Sequence, residues 1–229
     1  MHLYGIVEIV TVSTFIVTAA IAITVTIKNK QLPDWIKYFY LYPLVGVLDG
    51  MMIILSVDFH LIPTRVMNMI DNCSLLFHFS FLSFIIGQKL ERKGVMKYFG
   101  LFRILFSGLI IVLLVLLDST KFNNIAYGTT NTSLFVICLI FFIQLVRQDN
   151  KGSLLKDPFF WVLNGIFLGM GIGIPIQLTI AYFRASLSFD TFAIIAALSP
   201  FAYFIMYIFF IKAYIVLIKN SRIKKISSS

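Results

Sequence analysis

Charged side chains are too few for this chain to cover itself in water. Only 13% of its 229 residues are Asp, Glu, Lys or Arg, while 59% are hydrophobic. At a mean hydropathy of +0.94 the solvent for most of the chain must be lipid. Cysteine is equally sparse. Cys73 and Cys138 both fall inside apolar runs, so they read as small apolar side chains rather than as a disulfide or a metal site. The three histidines, His2, His60 and His78, include no pair at helical spacing, which argues against a zinc hydrolase. There is no Gly-rich phosphate loop, no Gly-x-Ser-x-Gly and no His-Glu-x-x-His. Neither an enzyme nor a cofactor is expected.

The formal charge of +9 is not that of a nucleic-acid binder, because the basic residues occur in short clusters between apolar runs rather than on one folded face. Seven of those runs reach the ~20 residues that cross a bilayer. They are 3–27, 37–57, 66–88, 98–117, 125–146, 159–183 and 191–217. Each is continuously apolar, without the alternation of a lipid-facing strand, so helices are expected rather than a barrel. The fold class is therefore all-α, a polytopic integral membrane seven-helix bundle in a single transmembrane domain over 1–229. Connections and tail are short, so no soluble catalytic or output domain is expected. The first run has no basic leader and is followed by Lys28 and Lys30, which favours a retained helix over a cleaved signal.

Lys and Arg set orientation. Sixteen fall on the side that holds Lys28, Lys89, Arg92, Lys93, Lys156 and Lys219, and three on the other, namely Arg65, Lys121 and Arg184. The positive-inside rule then places the N-terminus outside and the basic C-terminus in the cytoplasm, across a cell inner (cytoplasmic) membrane. Trp35 and Trp161 lie at cytoplasmic helix starts and are expected to anchor at the interface.

A buried carboxylate costs about 2.5–3.5 kcal/mol on the insertion scale, so ionisable residues inside the runs are the informative ones. Glu8, Asp49, Asp71 and His78 are the ionisable set, joined by Asn72, Asn131, Asn164 and Gln177. Counting ~1.5 Å per residue from each helix end places all but Asn164 in the outer half or near the middle. At 100° per residue Asp71, Ser74 and His78 share one face, as do Glu8, Thr11, Phe15, Thr18 and Ala22. Tyr42, Gly46 and Ser56 lie near the face of Asp49. The expectation is an outward-opening polar pocket lined by Glu8, Asp49, Asp71, Asn72, His78, Asn131 and Gln177, with an internal hydrogen-bond network that locks helices together as the simpler reading.

In the sixth run Gly165, Gly169 and Gly173 precede Gln177 at intervals of four, with Pro175 beside them; Pro200 interrupts the seventh. These mark close helix packing or a hinge. Microbial rhodopsins need a lysine near the middle of the last helix, where this chain has only Lys212 near one end. Ser199-Pro200-Phe201-Ala202-Tyr203 echoes a receptor motif only loosely.

Asp71-Asn72 followed by His78, the Asn-bearing start of the fifth run, and Asp157-Pro158-Phe159-Phe160-Trp161 opening the sixth together resemble a group of small seven-helix membrane proteins of Bacteroidetes. The resemblance implies the same fold and topology and an association with sensor kinases, and it carries over no catalytic residue. The function expected is that of a non-enzymatic sensor or receptor-like subunit. It would bind a small polar ligand or a proton from outside and signal through a cytoplasmic or membrane partner. A small-solute transporter of three-plus-one-plus-three type is the alternative, since three helices flank the fourth on either side.

Overall fold

The computed structural model describes residues 3–28, 32, 34–57, 61–89, 93–116, 123–147 and 154–227, although a few side chains within these ranges, that of Glu8 among them, lie outside the description. The elements are α1 (Leu3–Lys28), α2 (Asp34–Lys37), α3 (Leu41–Val57), α4 (Thr64–Gly87), α5 (Lys93–Leu116), α6 (Asn124–Arg147), a 3-10 turn at Leu154–Lys156, α7 (Pro158–Ser186) and α8 (Phe189–Ser227). There is no strand among the described residues. Seven helices are long and apolar enough to cross a membrane, which suggests a multi-pass membrane protein.

Apolar surroundings demand that every polar group on a helix find a partner within the protein. In α1 the hydroxyls of Thr11, Ser13, Thr14, Thr18 and Thr26 each donate to the carbonyl four residues earlier, at 2.7–2.8 Å. The start of α7 is set by Asp157, whose carboxylate accepts from the Phe159 amide at 2.9 Å, with Pro158 in the first turn.

The second run departs from one continuous helix. Pro43 has no amide hydrogen to give the Phe39 carbonyl, which accepts instead from Tyr42 at 3.3 Å. Phe39 and Leu41 donate three residues back, to Ile36 and Tyr38. The resulting tight turns separate α2 from α3. They also seat Trp35, which is 5% exposed and packs edge-on to Phe159 at 5.2 Å. Trp35 thus belongs to the packed core rather than to an exposed interface belt. Trp161 is half-buried and its indole donates to the Leu155 carbonyl at 2.9 Å.

Six long helices close into a ring, in the order α1, α3, α4, α6, α7, α8 and back to α1. α5 stands outside it, against α4 and α6, and most of its described side chains are exposed. Several ties to α5 are polar, among them Ser80 with Ser107 at 3.4 Å and the Asn123 carboxamide donating to the Leu113 carbonyl at 3.2 Å. Arg103 donates through Nε to the Ser83 hydroxyl at 3.1 Å and through Nη2 to the Ser80 carbonyl at 3.3 Å.

The glycine stripe of α7 lies against two neighbours. A methyl group at Gly165 would meet the Met206 carbonyl of α8 at 2.8 Å, one at Gly169 would meet Met206 Cβ at 3.0 Å, and one at Gly173 would meet Asn131 Nδ2 of α6 at 3.1 Å. Absence of side chains here lets α7 pack tightly on α8 and admits the Asn131 carboxamide. The end of the bundle that holds Lys89 and Lys212 is filled by apolar and aromatic groups, with Phe39, Leu82, Ile85, Ile86, Phe159 and Phe210 at or near zero exposure.

A candidate polar site within the helix ring

Polar contacts run from helix to helix around the inside of the ring. The Ser74 hydroxyl of α4 donates to the Asp49 carboxylate of α3. The Tyr127 hydroxyl of α6 donates to the Asp71 backbone carbonyl of α4 at 2.9 Å. Asn131, one turn along α6 from Tyr127, abuts Gly173 of α7. Gln177, one turn along α7, donates to the Ser199 hydroxyl of α8 at 3.0 Å. One turn further along α8, Tyr203 stands edge-on to the His78 ring of α4, with ring centres 5.8 Å apart. The Tyr42 hydroxyl of α3 meets the edge of the same imidazole, 2.6 Å from Nδ1 and 2.9 Å from Nε2. Tyr207, a turn beyond Tyr203, stacks on Tyr42 at 5.8 Å and on Phe15 of α1 at 4.2 Å.

Helical periodicity explains why these residues meet. Asp71, Ser74 and His78 form one face of α4, Tyr127 and Asn131 one face of α6, and Ser199, Tyr203 and Tyr207 one face of α8. Gly46 of α3 makes the approach of α8 possible, because a methyl group there would meet the Tyr207 hydroxyl at 2.7 Å and Phe15 at 3.0 Å. The α1 stripe also faces inward, with Thr11, Phe15, Thr18 and Ala22 all buried. Thr11 shares its hydroxyl proton between the Val7 carbonyl at 2.7 Å and the Pro200 carbonyl of α8 at 3.1 Å.

Electrostatics distinguish this cluster from ordinary helix glue. Asp49 and Asp71 lie within electrostatic range of one another, and Tyr127 and Tyr203 within range of both. Neither carboxylate has a cationic side chain as partner among the described residues. Asp49, Asp71, His78, Tyr127 and Tyr203 are only half-buried although they face one another. Two carboxamides beside them are deeply buried, Asn131 at 3% and Gln177 at 5% exposure, and the carbonyl oxygen of each has no hydrogen-bond partner. No group of three or more metal-ligating side chains occurs among the described residues.

The structure sets Asp49 and Asp71 within electrostatic range of each other, His78 beside Tyr42 and Tyr203, and Asn131 and Gln177 at the α6–α7 and α7–α8 contacts, and leaves Asn72 elsewhere. Asn72 is buried on the stripe it shares with Leu75, Phe79, Leu82 and Ile86, about 100° around α4 from Asp71. That stripe meets α5 through Phe79, whose ring is 4.6 Å from Phe106. The side chain of Glu8 lies outside the described residues. Asn164 donates to its own helix at the Phe160 carbonyl, 2.8 Å away. Sequence reasoning set Tyr42 near the face of Asp49 and passed over the part that Tyr127 and Tyr203 play. A signal existed, since Tyr127 precedes Asn131, and Tyr203 follows Ser199, by one helical turn.

No family model, no curated protein and no solved structure matches this chain. The site therefore has to be interpreted from its own chemistry.

Proposed function

We propose that the chain is a multi-pass protein of the cell inner membrane, with its N-terminus outside and its C-terminus in the cytoplasm, that senses a small polar ligand or a proton. Occupancy of the polar ring would be reported to a cytoplasmic or membrane partner, such as a sensor kinase of the kind the sequence resemblance implies. The observation that carries this reading is the pair Asp49 and Asp71, without a cationic partner among the described residues and half-buried inside a ring where five helices contribute polar side chains. A carboxylate within a span is costly, up to about 2.5–3.5 kcal/mol at a helix centre on the insertion scale, and helix packing does not require it.

The direction of signalling follows from where the apolar packing lies. Positive-inside counting makes the Lys89 and Lys212 end cytoplasmic, so the aromatic and aliphatic core around Phe39, Phe159 and Phe210 lies between the polar ring and the cytoplasm. A ligand entering from outside would meet a closed floor. Pressure on α7 and α8 at Gln177 and Ser199 would then pass along two closely packed helices to their cytoplasmic ends.

A transporter is the second reading, favoured by the placement of α5 outside the ring with three spanning segments before it and three after. It would need a polar path through that apolar floor. Crosslinking in native membranes, followed by purification of the tagged chain, separates the two. A partner that is retained by wild type and lost when Arg92 and Lys93 are neutralised supports sensing. Recovery of no partner, together with solute uptake into vesicles, refutes it and favours transport.

A further inference from the structure

The polar ring holds acceptors in excess of donors, and that imbalance indicates what it binds. Asp49 and Asp71 present negative charge within electrostatic range of each other. Asn131 and Gln177, both more than nine-tenths buried, hold carbonyl oxygens without a partner. Asn131 is one turn from Tyr127, which reaches Asp71, and Gln177 is bonded to Ser199, one turn from Tyr203. The α6 face of Asn131 thus meets α4 at Asp71 through Tyr127, and the α8 face bonded to Gln177 meets α4 at His78 through Tyr203. An ionised carboxylate here disfavours an anionic ligand, since like charge in a desolvated site is strongly repelled. A neutral molecule would leave its charge uncompensated. The half-buried Tyr127 and Tyr203 add aromatic surface, whose ring faces attract a cation and whose bulk suits an organic ligand better than a bare metal ion. No described lysine or arginine occupies the position of counter-charge.

We infer that the ring receives a small organic ligand bearing a primary ammonium group, whose three N–H donors bond the Asp49 and Asp71 carboxylates and the open carbonyl oxygen of Gln177 against the tyrosine rings. The inference rests on the reading of the ring as a ligand site and names its chemical class. Each acceptor fits this role: a carboxylate gives charge-assisted bonds, a carboxamide oxygen gives directional ones, and the tyrosine rings exclude water around them.

The test is thermal unfolding of the purified full-length chain in detergent, in potassium HEPES buffer free of other amines and of sodium. The probes are phenethylammonium, its neutral analogue 2-phenylethanol, its anionic analogue phenylacetate, tetramethylammonium and sodium chloride. A saturable rise in Tm with phenethylammonium and with none of the others is expected. Asp49→Asn and Asp71→Asn should each weaken its apparent affinity roughly tenfold or more, the worth of one charge-assisted hydrogen bond. Gln177→Leu should weaken it several-fold. If Asp71→Asn fails to purify as a single species, Asp49→Asn supplies the same comparison.

A response to tetramethylammonium equal to that of phenethylammonium overturns the requirement for N–H donors. A saturable rise with sodium alone, or one produced only by lowering the pH, overturns the amine while leaving a ligand site in place. No response to any probe or to pH, with wild type and both Asp variants melting alike, overturns the amine and the ligand site together and leaves the ring as internal packing.

Discussion

Substitution of Gly165 by Ala tests the packing of α7 on α8 most directly. A methyl group at that position would lie 2.8 Å from the Met206 carbonyl oxygen, 3.0 Å from Phe209 Cβ and 3.1 Å from Phe210 Cε1. The first of these is backbone in the middle of a 39-residue helix, so it can retreat only by displacing α8 itself. Overpacking of this kind costs about 1–3 kcal/mol, which lowers the folded-to-unfolded ratio by roughly 5- to 150-fold at RT ≈ 0.59 kcal/mol. The same change at Gly108, on the exposed side of α5, meets nothing within 4 Å. There Ala should be neutral or stabilising, because glycine is the poorer helix former by about 1 kcal/mol. Gly169→Ala should fall between the two, its nearest contacts being Met206 Cβ at 3.0 Å and the Ala202 carbonyl at 3.3 Å. Unfolding of the three variants in mixed micelles, followed by tryptophan fluorescence, gives the order. Gly165→Ala as stable as Gly108→Ala would refute the argument that α7 and α8 meet through this stripe.

Arg103→Met should destabilise the chain by about 1.5–3 kcal/mol through loss of its bonds to Ser83 and Ser80, measured by the same unfolding assay, and loosen α5 before the ring. Asp157→Ala should cost about 1 kcal/mol by removing the cap on the Phe159 amide, with Asp157→Ser recovering most of it. Cysteine placed at Arg65 or Arg184 should react with an impermeant maleimide added to intact cells, and cysteine at Lys219 only after the membrane is opened; the opposite pattern rejects the N-outside orientation. Tyr203→Phe, which keeps the edge-on contact with His78 and removes only a hydroxyl, should leave the melting temperature within a few degrees of wild type, whereas Tyr203→Ala should lower it well beyond that.

Seven apolar helices were legible because a bilayer-length run of apolar residues is a one-dimensional signal. The break between α2 and α3 was less visible. Pro43 announced a missing donor, but whether that produces a bend or a separate turn depends on which carbonyl the neighbouring amides find, and here Tyr42 and Leu41 turn back by three residues. Within α4, periodicity correctly grouped Asp71, Ser74 and His78 on one face. It placed Asn72 in the same pocket only because depth was counted without angle; the 100° step between adjacent residues sends Asn72 onto the stripe that contacts α5. Tyr127 escaped notice for a different reason. Its apolar body makes it look like filling, and its hydroxyl becomes evident only when it reaches Asp71 across the helix boundary.

The division of the ring into a polar level and an apolar floor bears on why the carboxylates are there at all. Thr11 with Pro200, Gly165 with Met206 and Gly46 with Tyr207 already bring α1, α3, α7 and α8 into close contact without a formal charge. Interhelical hydrogen bonds in membranes average only ~0.6 kcal/mol, a small return beside the insertion cost of Asp, which reaches about 2.5–3.5 kcal/mol at a helix centre. A bundle shaped by stability alone would hold Asn or Ser at positions 49 and 71. Asp49→Asn and Asp71→Asn should each raise the melting temperature of the unliganded chain, and a lowered one would show that the carboxylates hold the helices together and that the site reading is misplaced.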